Sequence, residues 1–278
     1  MKIAKNKIGP EEAKSLCHLN SSLTTLFIGD FHDADFEGYE ITVKVILHSI
    51  QFNNTLTSLN LAGSKIRDTW VELISISMQY NSTLTTLHLN RNKIGPIGAN
   101  SISNFLQLNS TLLTLNLDDN KISYEGVKLI ATALKTNYTL KALHLKTNRI
   151  NLAGVASIAR ALLYNTSLTY LSLNKNGISS HGATALWGAL KSGNTTLTKL
   201  KILFDDNINC DVYLEDCIQK NKNLKNVSLW PKSHHCLSKS NQKMMEEMLL
   251  TMKAIRIPKD VLIHQLRIIL RIFFCVKW

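Results

Sequence analysis

The chain has 278 residues, of which 45% are hydrophobic and 7% aromatic, a composition that excludes an intrinsically disordered protein. Its formal net charge of +12 is compatible with a nucleic acid, an anionic membrane or an acidic protein as partner. Between Asn221 and Trp278 there are eleven Lys and Arg residues against three Asp and Glu residues, so most of the excess charge lies in this C-terminal segment.

Five scattered cysteines are too few to form a disulfide framework. The N-terminal sequence lacks the apolar segment of a secretory signal peptide, and no uninterrupted apolar run reaches the roughly 18 residues that a spanning helix needs. We therefore expect a cytoplasmic protein. A bacterial effector that is secreted into a host cell without a classical signal peptide would also lack these segments.

The chain begins with a truncated unit over residues 1–19, which we expect to cap an open array of repeats at its N-terminal end. The first full unit starts at Asn20 and has the apolar spacing of a strand at Leu23, Leu26 and Ile28. This unit is acidic and longer than the later ones.

One unit of 28 residues then recurs in register, starting at residues 53, 81, 109, 137 and 165. Each copy opens with alternating apolar and polar residues, which predicts a β-strand, and continues with apolar residues at helical spacing, which predicts an α-helix. In the copy at 81, the strand leucines are Leu84, Leu87 and Leu89. A fixed period of this length is typical of a solenoid.

Two other positions recur in these copies. An asparagine follows the strand, where its amide can satisfy the backbone of a tight turn and of the neighbouring unit. A glycine stands where the helix begins, and its small size allows close packing. The residues are Asn92, Asn120, Asn148 and Asn176, and Gly98, Gly126, Gly154 and Gly182. Ser64 replaces the asparagine in the copy at 53, so we expect that level of the array to be weaker.

After Gly193 the pattern slips. We predict a helix from Val212 to Ile218 and a last strand that contains Leu224, Val227 and Leu229. Proline cannot donate to a neighbouring strand, so the array should end at Trp230-Pro231.

Residues 232–278 predict a polar linker and two apolar helices, which we interpret as a helical C-terminal cap. The predicted domains are therefore the N-terminal cap at 1–19, the repeats at 20–231 and the C-terminal cap at 232–278.

The unit L-x-x-L-x-L-x-x-N-x-I-x-x-x-G, followed by a helix and an Asn-rich turn, resembles the ribonuclease-inhibitor class of leucine-rich repeats over residues 3–230. The resemblance implies an α/β fold, a right-handed solenoid or horseshoe with a parallel sheet on the concave face and helices on the convex face. Such proteins bind other proteins by the concave face and by the loops at the C-terminal ends of the strands. The Lys/Asn/Ile-rich sequence also resembles leucine-rich-repeat effectors of intracellular bacterial pathogens.

Alternate residues of a strand point to opposite faces of the sheet, so the pattern identifies the side chains on the concave face. They are small and neutral in the first units, whereas the later units bring aromatic residues beside long cations, as at binding hot spots. The predicted partner-binding residues are His88, Arg91, Asp118, Asp119, His144, Lys146, Tyr170, Lys175, Lys199, Lys201, Phe204 and Trp230. Phe204 and Trp230 have a second interpretation, in which they only seal the sheet under the C-terminal cap.

Three other patterns have simpler explanations than chemistry. The N-x-S/T triplet that opens each unit, such as Asn81-Ser82-Thr83, matches a glycosylation acceptor, but turn chemistry explains it better. His234-His235-Cys236 lacks a second cluster at zinc-finger spacing, so we expect no metal and no cofactor. Asp118-Asp119 has no nearby nucleophile or base, and we interpret it as an anchor for a basic side chain of a partner.

The sequence therefore predicts a non-catalytic protein, monomeric when unbound, that binds another protein with an acidic surface. If it is an effector, it would inhibit a partner enzyme by covering its active site. We expect neither nucleic acid nor a membrane as partner. Two alternatives stay open: an adaptor whose C-terminal helices recruit ubiquitin-ligase machinery or a membrane, and a basic nucleic-acid binder.

Overall fold

The computed structural model describes residues 23–28, 36–203 and 211–228. In these ranges three-residue strands alternate with helices. The strands are β1 (Thr25–Phe27), β2 (Ser58–Asn60), β3 (Thr86–His88), β4 (Thr114–Asn116), β5 (Ala142–His144), β6 (Tyr170–Ser172) and β7 (Lys199–Lys201). The helices are α1 (Phe36–Ile50), α2 (Asp68–Tyr80), α3 (Pro96–Leu108), α4 (Ser123–Leu134), α5 (Asn151–Leu162), α6 (Ser180–Ser192) and α7 (Asp211–Ser228).

The seven strands form one parallel sheet in the order β1 to β7, which confirms the predicted α/β repeat fold. From β2 to β6, each strand pairs with the next at an offset of 28 residues, as the period predicts, whereas the offset is 33 residues from β1 to β2 and 29 from β6 to β7. The central leucines therefore lie side by side, so that Leu115 pairs with Leu87 and Leu143. Within the described ranges, no helix is long and apolar enough to cross a membrane.

A single apolar core lies between the sheet and the helices. Leu115 of β4 and Val127, Ile130 and Leu134 of α4 are completely buried in it, as the sequence pattern predicts. Removing one such side chain from water contributes about 1.5 to 3 kcal/mol. Because each unit packs on its neighbours, the stability of the array is shared among many of these contacts.

The asparagine after each strand connects neighbouring units, as predicted. The amide nitrogen of Asn120 donates to the carbonyl oxygens of Leu89 and Leu117, both at 3.0 Å. Its side-chain oxygen accepts the backbone N–H of Ile94 at 3.1 Å. Asn92 makes the three equivalent bonds. Asn148 and Asn176 donate to the carbonyls of Leu117 and Leu145 in the preceding units and accept the backbone N–H groups of Ile122 and Asn148. Ser64 stands at the asparagine position in the copy at 53, where we predict a weaker connection. Its hydroxyl donates to the carbonyl of Ile28 at 2.6 Å.

The asparagines of the N-x-S/T triplets form a second set of buried connections. The side chain of Asn109 donates to the carbonyl of Met78 at 2.7 Å and accepts the backbone N–H of Leu112 at 2.8 Å. Asn81, Asn137, Asn165 and Asn194 are buried and bonded in the same way. Turn chemistry therefore explains the triplets, and their amides are inaccessible to glycosylation in the folded protein.

The recurring glycines allow close packing, as predicted. A Cβ atom at Gly126 would lie 2.8 Å from the side chains of both Ala99 and Ile122. At Gly154 the corresponding distances are 2.5 Å to Ile150 and 2.6 Å to Val127. These contacts are shorter than carbon atoms tolerate, so a larger residue would push neighbouring helices apart.

The predicted last strand is wrong over the residues that the structure describes, because Leu224 and Val227 lie in helix α7. Asn226 and Ser228, which this strand would have placed on the concave face of the sheet, lie in the same helix. Leu214 and Ile218 are four residues apart and Leu224 and Val227 are three apart, spacings that fit a helix, and no Gly or Pro interrupts the segment. The helical period therefore overrides a short strand-like pattern.

The chain divides into two compact units, residues 1–218 and residues 219–278. The predicted caps at 1–19 and 232–278 lie outside the described residues, as does Leu229. The predicted domain limits therefore stay predictions.

Candidate functional site

The side chains flanking each central leucine form what we call the open face of the sheet, which is the face predicted to be concave. The strand register arranges them in two rows. The first row runs Thr86, Thr114, Ala142, Tyr170 and Lys199, and the second runs His88, Asn116, His144, Ser172 and Lys201. The sequence pattern predicts both rows correctly.

Three predicted residues meet at one point on β5 to β7. The rings of His144 and Tyr170 lie with centroids 4.6 Å apart and planes tilted by 33°. The ammonium group of Lys199 lies 5.5 Å from the centroid of the Tyr170 ring. The negative face of an aromatic ring attracts a cation at this distance, so Tyr170 and Lys199 hold each other in place.

Further cations surround this contact. Lys175, Lys199 and Lys201 are exposed, and Lys146 is half-buried. In the part of the chain that the structure describes, none of the four forms an ion pair with a carboxylate. We call His144, Lys146, Tyr170, Lys175, Lys199 and Lys201 the Tyr170 cluster. It combines an aromatic surface with lysines that form no ion pair within the described ranges.

Asp118 follows β4, and its carboxylate connects two neighbouring units of the fold. One of its carboxylate oxygens accepts the backbone N–H of Lys146 at 2.7 Å. Burial raises the pKa of Asp118, although this hydrogen bond and the nearby His144 act in the opposite direction. Asp119 and Arg91 occupy the same position of successive units, with left-handed φ angles of 56° and 58°. The predicted role of these three residues in partner binding stays a prediction.

The two histidines of the open face are half-buried and lie two strands apart, on either side of Asn116. Burial lowers the pKa of His88. Burial also lowers the pKa of His144, and His88 and Lys201 add to this effect while Asp118 opposes it. No group of three or more metal-ligating side chains occurs within the described ranges.

These shifts predict a pH dependence of stability. Below about pH 6.5 the unfolded chain binds protons on His88 and His144 more readily than the folded one. The contribution of the two neutral histidines to the stability of the folded protein is therefore fully present above that pH. It is lost as the pH falls through their lowered pKa values. The thermal unfolding midpoint should fall between pH 7 and pH 5, and this fall should be smaller when both residues are replaced by Gln.

One control belongs to that measurement. When His181, an exposed residue of α6, is replaced by Gln instead, the fall of the unfolding midpoint between pH 7 and pH 5 should remain. Asp118 acts with the opposite sign, because its raised pKa gives a contribution that is lost as the pH rises. If the double variant of His88 and His144 shows the same pH dependence as the natural protein, the histidines are not the cause.

One set of exposed residues escaped the sequence reasoning, which assigned the excess charge to the C-terminal segment. Lys65, Lys93, Lys121 and Arg149 stand at one position of four successive units, in the loops between strand and helix. We call these four residues the cation row. The signal was present in the recurring S-K-I-R, N-K-I-G, N-K-I-S and N-R-I-N segments. Phe204 and Trp230, by contrast, lie outside the described residues.

Comparison with known proteins identifies the repeats. A family model described as Leucine Rich repeat matches residues 52–72, 80–103, 108–131, 136–159 and 164–186. Residues 52–186 contain leucine-rich repeats. Leucine-rich-repeat domains are in general non-catalytic modules that bind proteins. No curated protein matches the sequence.

Several solved structures resemble the leucine-rich repeats of this chain. Leiomodin-1 actin-binding site 2 is 20% identical, with a TM-score of 0.48, over 74% of this chain and 100% of that one. The tropomodulin C-terminal domain of Caenorhabditis elegans is 12% identical, with a TM-score of 0.45, over 67% and 96%. An internalin of Listeria monocytogenes is 19% identical, with a TM-score of 0.42, over 67% and 49%. Similarity at this level carries no information about the partner.

Proposed function

We propose that this protein is a non-catalytic binding module that recognises one acidic protein through the open face of β5 to β7. The observation that carries the proposal is the Tyr170 cluster. There, one aromatic ring contacts His144 and Lys199, and the neighbouring lysines have no carboxylate partner within the described ranges. Aromatic residues next to cations are enriched at the energetic centres of protein interfaces.

The chemistry of the cluster fits an acidic partner. Exposed lysines with no carboxylate partner can accept Asp and Glu side chains without first breaking an internal ion pair. Their summed field also accelerates encounter with a negatively charged surface. Tyr170 adds apolar area and a hydroxyl group, and its contacts with His144 and Lys199 restrict its motion before binding.

The proposed mode of action is occlusion. A protein that is held against the open face over several strands is covered across a wide area, so an active site or docking surface within that area becomes inaccessible. Binding alone would then inhibit a partner enzyme. This mode fits the resemblance to effector proteins, and it requires no catalytic group on this chain.

Replacing Tyr170, Lys199 and Lys201 together by Ala should abolish capture of the partner from a cell lysate, as measured by affinity purification and mass spectrometry. The three side chains lie on the open face and only partly cover the sheet, so the thermal unfolding midpoint should change little.

A matched control removes the same residue types from another surface. Tyr124, Lys128 and Lys135 are exposed on or just after α4, and their joint replacement by Ala gives the same change in charge. The control variant should capture the partner as the natural protein does. Capture that survives in the Tyr170 variant, or that is lost equally in both variants, would refute the proposed face.

A further inference from the structure

The cation row lies at the edge of the sheet where the strands end. The loops that carry it stack on one another through backbone bonds. The N–H of Lys93 donates to the carbonyl of Ile66, and that of Lys121 to the carbonyl of Ile94, both at 2.8 Å. All four cationic side chains are exposed. The fold therefore presents one cation per unit in a single line.

Two carboxylates of this edge, those of Asp68 and Asp118, accept backbone N–H groups of the next unit. Asp68 accepts the N–H of Gly95 at 2.6 Å, and Asp118 accepts the N–H of Lys146 at 2.7 Å. In the part of the chain that the structure describes, none of the four residues of the cation row forms an ion pair. The four cationic groups are therefore not engaged by a carboxylate of the described residues.

The position of the row also makes its charge unfavourable in the isolated protein. Lys65 and Lys93 stand three residues before the first residues of α2 and α3, and Lys121 and Arg149 stand two residues before α4 and α5. The aligned peptide dipoles place partial positive charge at a helix N-terminus, where a cation is disfavoured. An external anion would relieve this repulsion.

We propose that the cation row binds an extended acidic segment of a polypeptide. This inference rests on the proposed function, because it takes the partner to be a protein. A single line of cations matches a linear ligand better than a flat one. Lys146 and Lys175 of the Tyr170 cluster follow strands β5 and β6 at the same edge of the sheet.

A nucleic-acid strand fits this row less well. Proteins that bind single strands without sequence preference stack the bases on aromatic side chains. Here the residue after each cation is an aliphatic one that is buried: Ile66, Ile94, Ile122 and Ile150. The row therefore offers charge without a surface for bases.

The test uses the full chain and two fluorescent probes, a peptide of about twelve glutamates and a single-stranded oligonucleotide of similar charge. Replacing Lys65, Lys93, Lys121 and Arg149 by Ala should weaken peptide binding about tenfold, because four surface ion pairs are lost. The control variant replaces the exposed residues Lys128, Lys135, Lys141 and Lys191, which lie outside the row, and should change binding less than about twofold. Both variants keep the basic C-terminal segment and have the same net charge.

Equal losses in the two variants would overturn the inference, because they would show an effect of net charge alone. A row-dependent loss that is as large or larger with the oligonucleotide would overturn it in favour of nucleic acid. Either failure concerns the row alone. Capture of the partner and its loss in the Tyr170 variant would still stand, so the two proposals can fail separately.

Discussion

Leu115→Ala should lower the free energy of unfolding by about 2 to 5 kcal/mol. Leu115 is completely buried in the central strand of the sheet, and its backbone is paired with strands on both sides. Truncation removes apolar contacts and leaves a cavity that the neighbouring units cannot fill without moving. Urea unfolding followed by circular dichroism measures the change.

Leu113 provides the control for this substitution. It belongs to the same unit but is 41% exposed. Leu113→Ala should therefore change stability by about 0.5 kcal/mol or less. Equal effects at the two positions would show that the core does not lie where the strand register places it.

Asn120→Ala should cost about 3 kcal/mol or more, an effect that residue polarity alone would not suggest. The substitution leaves the buried N–H of Ile94 without its partner and removes one bond from each of the carbonyls of Leu89 and Leu117, which keep their bonds to Asn92 and Asn148. An unsatisfied buried group costs about 1 to 3 kcal/mol, and each further lost hydrogen bond about 0.5 to 1.5 kcal/mol. The same urea unfolding experiment detects the loss.

Asn104 is the matched asparagine, because it is exposed on α3. Asn104→Ala should be neutral or slightly stabilising, since Ala has the higher helix propensity. A loss of stability at Asn120 that is no larger than the change at Asn104 would mean that the side chain does not connect neighbouring units.

Much of the fold follows from local chemistry that repeats. The 28-residue period fixes which leucines become neighbours, so the pairing of Leu87, Leu115 and Leu143 could be predicted before any coordinates. The bonds of Asn120 could also be predicted, because a short amide is suited to a turn that recurs in the next unit. Both features depend only on the position within the unit.

Features that break the period were harder to predict. The first two leucines of each repeat strand are three residues apart, and the same spacing fits one face of a helix. Leu224 and Val227 have this spacing, and they lie in a helix. The contact of His144 with Tyr170 depends on side-chain directions across two strands, which no strand pattern specifies. The cation row was missed because charge was assigned by segment of the chain rather than by position in the unit.

The central claim is that a protein partner lies against the open face, and site-specific photo-crosslinking tests it directly. A benzophenone side chain at position 170 should form a covalent adduct with the captured protein. The same group at position 124, on the opposite, helical side of the unit, should form none. Adducts at position 124 with none at position 170 would contradict the account.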